Sequence, residues 1–448
     1  SRPFFIRFLR VNNMNKQQVN LPLAASSKSI NAILDLPGSK SIANRVLPLA
    51  AMAQGISTIH NVPDVGEDVQ LMLAALAKLG IKCEKIRQDA NGCSSYRIHG
   101  CGGKLPVKSA ELFLGNSGTS IRFLTALLAV LDGSYVLTGI QRMKERPIKD
   151  LVNALRQLGC QIECLENEGY PPLQTSPFLD NGVAEISLSG KISSQYLTGL
   201  LMALPQLKRE ITVRIYDELI SKPYVEITLA LLKIFGAKTV ESAENCFTIY
   251  PVEVLQAVEY TVEPDASSAS YFLAMGAMNG TVRINNLDEN SLQGDKNFAK
   301  VLAQMGAQVE YHQGYILVQH KELNAITVNM EDMPDVAMTI AVLALFAEGT
   351  TTINGISSWK VKETDRLLAI YTELCKVGAT VSYTDDSITI TPPAKILPNI
   401  AIDTYNDHRM AMCFSLLAVG GIPVVINNYE CVGKTFANYF DVFNDLVF

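Results

Sequence analysis

This chain lacks long apolar runs, clustered histidines and paired cysteines. No uninterrupted apolar stretch approaches the ~18 residues of a membrane span, so no segment reads as a transmembrane helix. The five histidines are scattered and no HExxH occurs, which argues against a histidine-based metal site. There are nine cysteines, an odd number, and no CxxC. The closest pair, Cys160 and Cys164, stands on an apolar strand-like stretch with no histidine nearby. That pattern excludes a zinc ribbon or a disulfide scaffold and leaves buried reduced thiols in a cytoplasmic protein. An excess of positive charge is also missing. Lys and Arg number 38 against 44 Asp and Glu, a net charge of −6. No global basic field recruits nucleic acid or an acidic membrane, so an anionic ligand must be held by local clusters. Nucleotide fingerprints fail too. "VGKTF" (432–436) has Asn428 where a P-loop needs glycine, and "GCGG" (100–103) lacks dinucleotide spacing.

What is present is globular. The chain has 448 residues, 48% hydrophobic and 18% charged, enough for two or three domains. Residues 1–13, "SRPFFIRFLRVNN", are too short and badly ordered for a signal peptide and are read as an extension outside the fold.

The chain repeats itself. A helical segment ending in glycine recurs as "LAALAKLG", "LVNALRQLG", "LALLKIFG", "AKVLAQMG" and "IYTELCKVG". The closing residues Gly80, Gly159, Gly236, Gly306 and Gly378 suit the left-handed cap of a helix C-terminus. Each precedes a pair of short β-like runs. Upstream lies a second recurring piece: "SKSIANRVLPLAA", "NSGTSIRFLTALLA", "SSQYLTGLLMAL", "DASSASYFLAMGA", "PDVAMTIAVLALFA" and "YNDHRMAMCFSLLA". All begin with small polar or charged residues and continue apolar on every face, the mark of a buried helix. The unit is therefore strand, buried helix, strand, capped helix, strand, strand, and the sixth copy has lost its tail. Six units suggest two α/β domains of three units each, with chain crossings near 34–40 and 260–268. The expected division is 14–37 plus 264–448 against 38–263. If the buried helices start at one cleft, their N-termini attract anions there.

Charge gathers at the buried-helix starts and in the loops before the capped helices. The densest case is "VKETDR" (361–366), just after the only tryptophan, Trp359. As a surface pair on a helix, Glu363 and Arg366 would contribute only ~0.2–0.5 kcal/mol, and Lys362 and Arg366 would repel mildly. An anionic ligand explains them better. Asp68 and Asp265 can act as helix caps, Asp365 as a cap or charge balance, and Trp359 as core.

At these residues the sequence resembles the 5-enolpyruvylshikimate-3-phosphate (EPSP) synthase family. The markers are "LPGSKSIANR" (36–45), "LFLGNSGTSIR" (112–122), "RMKERPI", "SSQYLT", "SKPY", "DASSASY", "PDVAMT", "VKETDR", "YNDHRMAM" and "KTF", in family order from about residue 20 to the C-terminus. The resemblance implies two inverse α/β barrels, each of three repeated βαβαββ units, closing on the substrates. It implies transfer of the enolpyruvyl group of phosphoenolpyruvate to the 5-hydroxyl of shikimate 3-phosphate through a tetrahedral intermediate, in a cytoplasmic monomer without metal or cofactor. By the same resemblance, shikimate 3-phosphate is held by Lys40, Ser41, Arg45, Ser193, Ser194, Gln195, Ser221, Tyr224, Asp335, Ser358 and Lys362. Ser358 stands where the family often has Asn. Phosphoenolpyruvate is held by Lys40, Asn116, Gly118, Arg146, Gln195, Arg366, Arg409 and Lys434. Asp68, Thr119, Arg122, Asp265 and His408 support the cleft. Glu363 is assigned to proton transfer at C3, Asp335 to the 5-hydroxyl and Lys40 to charge and proton movement. Arg suits carboxylate and phosphate through paired hydrogen bonds, and the carboxylates serve as acid–base groups. Ser117, Ser120, Ile121 and Phe123 replace the family's usual Ala, Ala, Met and Pro. Gly118 is retained, which implies sensitivity to glyphosate.

Two other readings compete. The UDP-N-acetylglucosamine enolpyruvyl transferase usually shows Lys-Asn at the position of Lys40-Ser41 and a Cys in the loop occupied by "RMKERPI", and neither is present. A non-catalytic anion-binding repeat protein would not need Asp335 and Glu363 among its cations.

Overall fold

The computed structural model describes residues 19–89 and 92–448, so the expected extension at 1–13 lies outside the described residues. Six helices run through the interior: α1 Lys40–Met52, α2 Gly118–Ala129, α3 Ser194–Ala203, α4 Ala266–Asn279, α5 Ala337–Leu343 and α6 His408–Val419. Beyond their first turns they carry no polar stripe to keep in water, and every residue of α2, α5 and α6 is buried. Ser39, Ser193, Asp265 and Asp407 cap α1, α3, α4 and α6 by accepting from the amides of Ile42, Gln195, Ser268 and Arg409. The outer helices end at the five glycines named above, with φ between +83° and +109°. Only glycine adopts that backbone without strain.

Six small sheets wrap the helices, five with four strands and one with three. In each four-stranded sheet one parallel pair continues into an antiparallel hairpin. For example, Ser109–Phe113 runs parallel to Ser134–Thr138, which pairs antiparallel with Leu173–Thr175. One departure from the simple repeat concerns the first and fourth units, which exchange their lead strands. Ile30–Leu34 runs parallel to Gly280–Asn285, and Glu259–Thr261 runs parallel to Gln54–Val62. The chain crosses over between lead strand and buried helix, so each lead strand stays with the sheet behind the crossing. The sixth sheet, Ile400–Ile402 with Val424–Ile426, is completed by the N-terminal strand Leu21–Leu23 instead of a hairpin.

The buried side chains form two hydrophobic cores. One gathers residues between Ile42 and Val262, here the N-terminal body. The other gathers Leu23–Leu36 with residues between Ala266 and Val447, the C-terminal body. The two crossings lie side by side. The Ser39 amide donates to the Glu263 carbonyl at 2.7 Å and the Asp265 amide to the Pro37 carbonyl at 2.9 Å. Gly38 is required there, because a Cβ would lie 1.9 Å from the Asn61 carbonyl oxygen. All nine cysteines are free thiols, and no helix among the described residues is long and apolar enough to cross a membrane.

Candidate active site

One cavity between the two bodies takes side chains from the starts of all six buried helices. The N-terminal body supplies Lys40, Ser41 and Arg45 from α1, Thr119 and Arg122 from α2, and Ser193, Ser194 and Gln195 from the start of α3. The C-terminal body supplies Asp265 at the cap of α4, Asp335 just before α5, and Arg409 from α6. Loops and outer helices add Arg146, Ser221, Tyr224, Ser358 and Lys362. Backbone N–H groups at helix starts carry partial positive charge, so their convergence favours an anion before any side chain is counted.

The arginines of the N-terminal body are buried against neutral acceptors. Arg45 donates from Nε to Thr228 Oγ1 at 2.9 Å, from Nη1 to the carbonyl and hydroxyl of Ser41 at 2.7 Å each, and from Nη2 to the Tyr224 carbonyl at 3.2 Å. Its guanidinium stands 5.1 Å from the centre of the Phe123 ring, a cation–π contact. Arg122 donates to the Gly118 carbonyl, Gln195 Oε1 and the Pro147 carbonyl at 3.1–3.2 Å. Arg146 donates to the carbonyl and side-chain oxygen of Asn116 at 2.9 and 3.0 Å, and across the cleft to the Val361 carbonyl at 3.3 Å. None of the three forms an ion pair with a carboxylate among the described residues. Burial pushes Arg45 and Arg146 down to about 10 each. Gly118 leaves room for two of these cations. A Cβ there would meet Arg122 Nη1 at 2.5 Å and Arg146 Nη2 at 2.6 Å.

The C-terminal body holds its cations with carboxylates. Arg366, 1% exposed, donates to Asp407 and Asp335 at 2.8 Å each and to Glu363 at 3.0 Å. Arg409 donates to the other Asp335 oxygen and to Tyr271 Oη, both at 3.0 Å. Lys362 Nζ lies 3.3 Å from Asp335. Burial works against every one of these charges. Even so, Asp407, Glu363 and Asp335 hold the Arg366 guanidinium far above its ordinary range. Arg409, Lys362 and Arg366 hold Asp335 well below the carboxylate range. Glu363 is held down likewise, by Arg366, Arg146 and Lys434. Both carboxylates are therefore ionised.

"VKETDR" is not a helix face. A 3-10 turn, Ser357–Val361, ends as the motif begins, and the helix Arg366–Lys376 begins at its last residue. Asp365 caps that helix, accepting from the Leu368 amide at 3.1 Å. Lys362 and Glu363 thus lie on a loop, and the helical repulsion between Lys362 and Arg366 does not arise because Asp335 bonds both. Trp359 is fully buried and donates from Nε1 to the Pro334 carbonyl at 2.7 Å. Asp68 is no cap. It is the second residue of the helix Glu67–Lys78, with Lys434 Nζ at 2.7 Å and Lys40 Nζ at 3.2 Å from its two oxygens. Asp265 does cap α4 and also accepts from the Lys40 amide at 3.3 Å.

Glu363, Arg366, Lys434, Asn116, Gly118, Asp68 and His408 do not line the cavity themselves but lie among the groups behind its wall. Lys434 also donates to the Asn116 carbonyl at 3.0 Å. His408 is buried with neither ring nitrogen hydrogen-bonded, and burial pushes its imidazole well below the ordinary range, so it is neutral. Two groups that the sequence pattern does not single out complete the cluster. Asp407 is a helix cap that also binds Arg366, and its only sequence signal is its place before an apolar run. Arg142 reaches across the cleft to the carbonyls of Lys360 and Lys362 at 3.4 and 3.1 Å.

A model of the family described as EPSP synthase (3-phosphoshikimate 1-carboxyvinyltransferase) matches residues 24–443. The chain belongs to the EPSP synthase family. It is similar to the 3-phosphoshikimate 1-carboxyvinyltransferase of Paraburkholderia phymatum, 50% identical over 418 residues that cover 91% of this chain and 95% of that one. The enzyme of the same name from Paraburkholderia phytofirmans is also 50% identical, over 421 residues, covering 92% and 95%. Among solved structures the fold resembles an EPSP synthase from Acinetobacter baumannii, with a TM-score of 0.80, 25% identity and coverage of 96% and 98%. The fold is also that of the enolpyruvyl transferase NikO from Streptomyces tendae, with a TM-score of 0.73 at 16% identity, covering 96% and 97%. The two-body architecture with buried helices and outer sheets is thus that of the EPSP synthase family.

Proposed function

We infer that the chain transfers the enolpyruvyl group of phosphoenolpyruvate to the 5-hydroxyl of shikimate 3-phosphate, as a 3-phosphoshikimate 1-carboxyvinyltransferase of the shikimate pathway. Family membership supports the reaction. The observation that carries it to these residues is the division of the cleft, with arginines that form no ion pair on one face and ionised Asp335 on the other, Glu363 standing behind it. The substrates bring two phosphates and two carboxylates. Arg45 and Arg122, which no carboxylate pairs, and Arg146, which feels Glu363 without an ion pair to it, are the groups that gain most from such anions. Asp335 accepts the proton of the attacking hydroxyl. As the hydroxyl oxygen bonds to C2, C3 takes up a proton relayed from solvent by Glu363; as the C2–O bond to phosphate then breaks and phosphate leaves, the Glu363 carboxylate takes a proton back from C3. Lys40, bound to Asp68 at the first turn of α1, stabilises charge at the reacting centre. The division of the chain into 14–37 plus 264–448 and 38–263 gives two domains that close on the substrates. The enzyme acts as a cytoplasmic monomer, and glyphosate competes with phosphoenolpyruvate beside Gly118.

Phosphate release from phosphoenolpyruvate, followed with shikimate 3-phosphate as acceptor, tests the reaction. Turnover with that acceptor and none with UDP-N-acetylglucosamine is expected, and the reverse pattern would overturn the reading. Inhibition by glyphosate should be relieved by phosphoenolpyruvate; inhibition that phosphoenolpyruvate does not relieve would remove the shared site.

A further inference from the structure

Asp295 is a buried carboxylate for which the reaction scheme above has no use. It sits in the 3-10 turn Gly294–Asn297 of the C-terminal body and is 4% exposed. It accepts a hydrogen bond from Ser267 Oγ in the first turn of α4. Tyr224 Oη, from the helix Lys222–Ile234 of the N-terminal body, lies 3.4 and 3.5 Å from its two oxygens. Ser267 and Tyr224 both line the cavity, while Asp295 stands behind them. Burial pushes its carboxyl up to about 6, with Arg409 supporting its charge and Asp335 and Asp265 opposing it. An acid kept in so unfavourable a place needs a reason beyond packing.

The surrounding backbone is built for this meeting. Gly294 lies so close to the other body that a Cβ would stand 2.5 Å from Pro223 Cβ, next to Tyr224. Ser221, two residues earlier, donates to the Glu331 carbonyl of the C-terminal body at 3.2 Å. The loop that carries Asp295 is tied to the chain crossing. Glu263 accepts from Ser291 Oγ at 2.6 Å, the Leu292 amide at 3.0 Å and Gln293 Nε2 at 3.1 Å. One short loop therefore links the chain crossing to a cavity-lining tyrosine of the opposite body.

We propose that Asp295 is a positioning residue for the sugar-acid substrate, setting the direction of the Ser267 and Tyr224 hydroxyls when the two bodies meet. A hydroxyl has one proton to donate. With both protons turned to Asp295, Ser267 and Tyr224 present lone pairs to the cavity. They then accept from a ring hydroxyl, the donor class that shikimate 3-phosphate carries and phosphoenolpyruvate lacks. Without the carboxylate either hydroxyl can rotate its proton towards the ligand, and that side of the cavity loses its preference for a polyol.

The inference rests on the proposed reaction, and the test separates the two. KM for each substrate, thermal stability and calorimetric binding of shikimate 3-phosphate are measured for wild type, Asp295→Ala, Asp295→Asn and Gly294→Ala. Asp295→Ala is expected to raise KM and Kd for shikimate 3-phosphate roughly tenfold while KM for phosphoenolpyruvate stays within about twofold, the size of one or two lost hydrogen bonds. Asp295→Asn keeps an acceptor oxygen and should recover most of that loss. Gly294→Ala leaves the carboxylate in place but presses on Pro223, and should raise the same KM. If Asp295→Ala and Asp295→Asn leave both KM values unchanged, or lower stability and the active fraction alone, Asp295 is structural and the inference is overturned. A wild-type protein that releases no phosphate from the two substrates would count against the reaction itself.

Discussion

Arg45, lining the cleft, and Arg366, just behind its wall, are both buried guanidiniums, and they are held in opposite ways. Arg45 has only neutral oxygens and an aromatic face around it. Arg366 has three carboxylates. The contrast extends to neighbouring cations: Arg122 and Arg146 form no ion pair, while Arg409 and Lys362 share Asp335 with Arg366; Lys40, paired with Asp68, is the exception in the N-terminal body. A buried charge must be compensated, by the protein or by something else. The C-terminal face compensates Arg366, Arg409 and Lys362 with its own carboxylates, which stay ionised, while its Lys434 reaches Asp68 of the other body. Under the proposed reaction, the N-terminal arginines receive part of their compensation from the ligand. Under that reaction, the unpaired arginines of the N-terminal body serve anion capture and the C-terminal carboxylates serve proton transfer.

The largest expected effect breaks the chemical half. Glu363→Gln removes the proposed proton-transfer group but keeps the shape, and turnover should fall roughly 10²–10⁴-fold while calorimetry still detects shikimate 3-phosphate binding. Near-wild-type turnover would remove Glu363 from the mechanism. Arg366→Ala and Arg45→Ala then address the contrast directly. Removing Arg366 takes the guanidinium from three buried carboxylates, of which only Asp335 keeps ion pairs with other cations, Arg409 and Lys362, and should lower unfolding free energy by about 3–5 kcal/mol. Removing Arg45 strands no charge, so denaturant melts should show a clearly smaller loss, with weakened shikimate 3-phosphate binding as its main effect. Equal destabilisation by the two would mean the faces are not different in kind. A smaller perturbation is Gly118→Ala, whose new methyl must displace Arg122 and Arg146. KM for phosphoenolpyruvate should rise roughly tenfold or more through misplacement of these cations, and an unchanged KM would show that they move aside freely. Last, Trp359→Phe leaves the Pro334 carbonyl without its donor and should lower stability by about 1–3 kcal/mol. KM values within error of wild type would identify Trp359 as support for the "VKETDR" loop only.

Some of this was legible in the chain and some was not, for physical reasons. The five closing glycines could be read because a left-handed helix end has few alternatives to glycine. The buried helices could be read because a helix apolar on every face has only one place to go. Lys362 and Glu363 could be found as charges, yet their loop position could not, because it depends on Asp365 starting a helix one residue later. Asp407 looked like an ordinary cap, and only the fold brings it to Arg366, 41 positions away. Asp295 sits in a stretch, "QGDKN", that reads as a plain turn. The exchange of lead strands was equally hidden, since Ile30–Leu34 finds its partner 250 positions along the chain.

By itself, then, the sequence determined the repeated unit, the interior course of its helices, the family and the set of charged residues available to the cleft. These follow from local backbone preference, apolar periodicity and the order of short motifs. Only the tertiary structure decided which body owns each lead strand, which cations meet a carboxylate and which do not, and which hydroxyls face a buried acid across the seam. Charge compensation and hydrogen-bond direction are set by distances of about 3 Å between atoms far apart in the chain, and no local pattern specifies those distances.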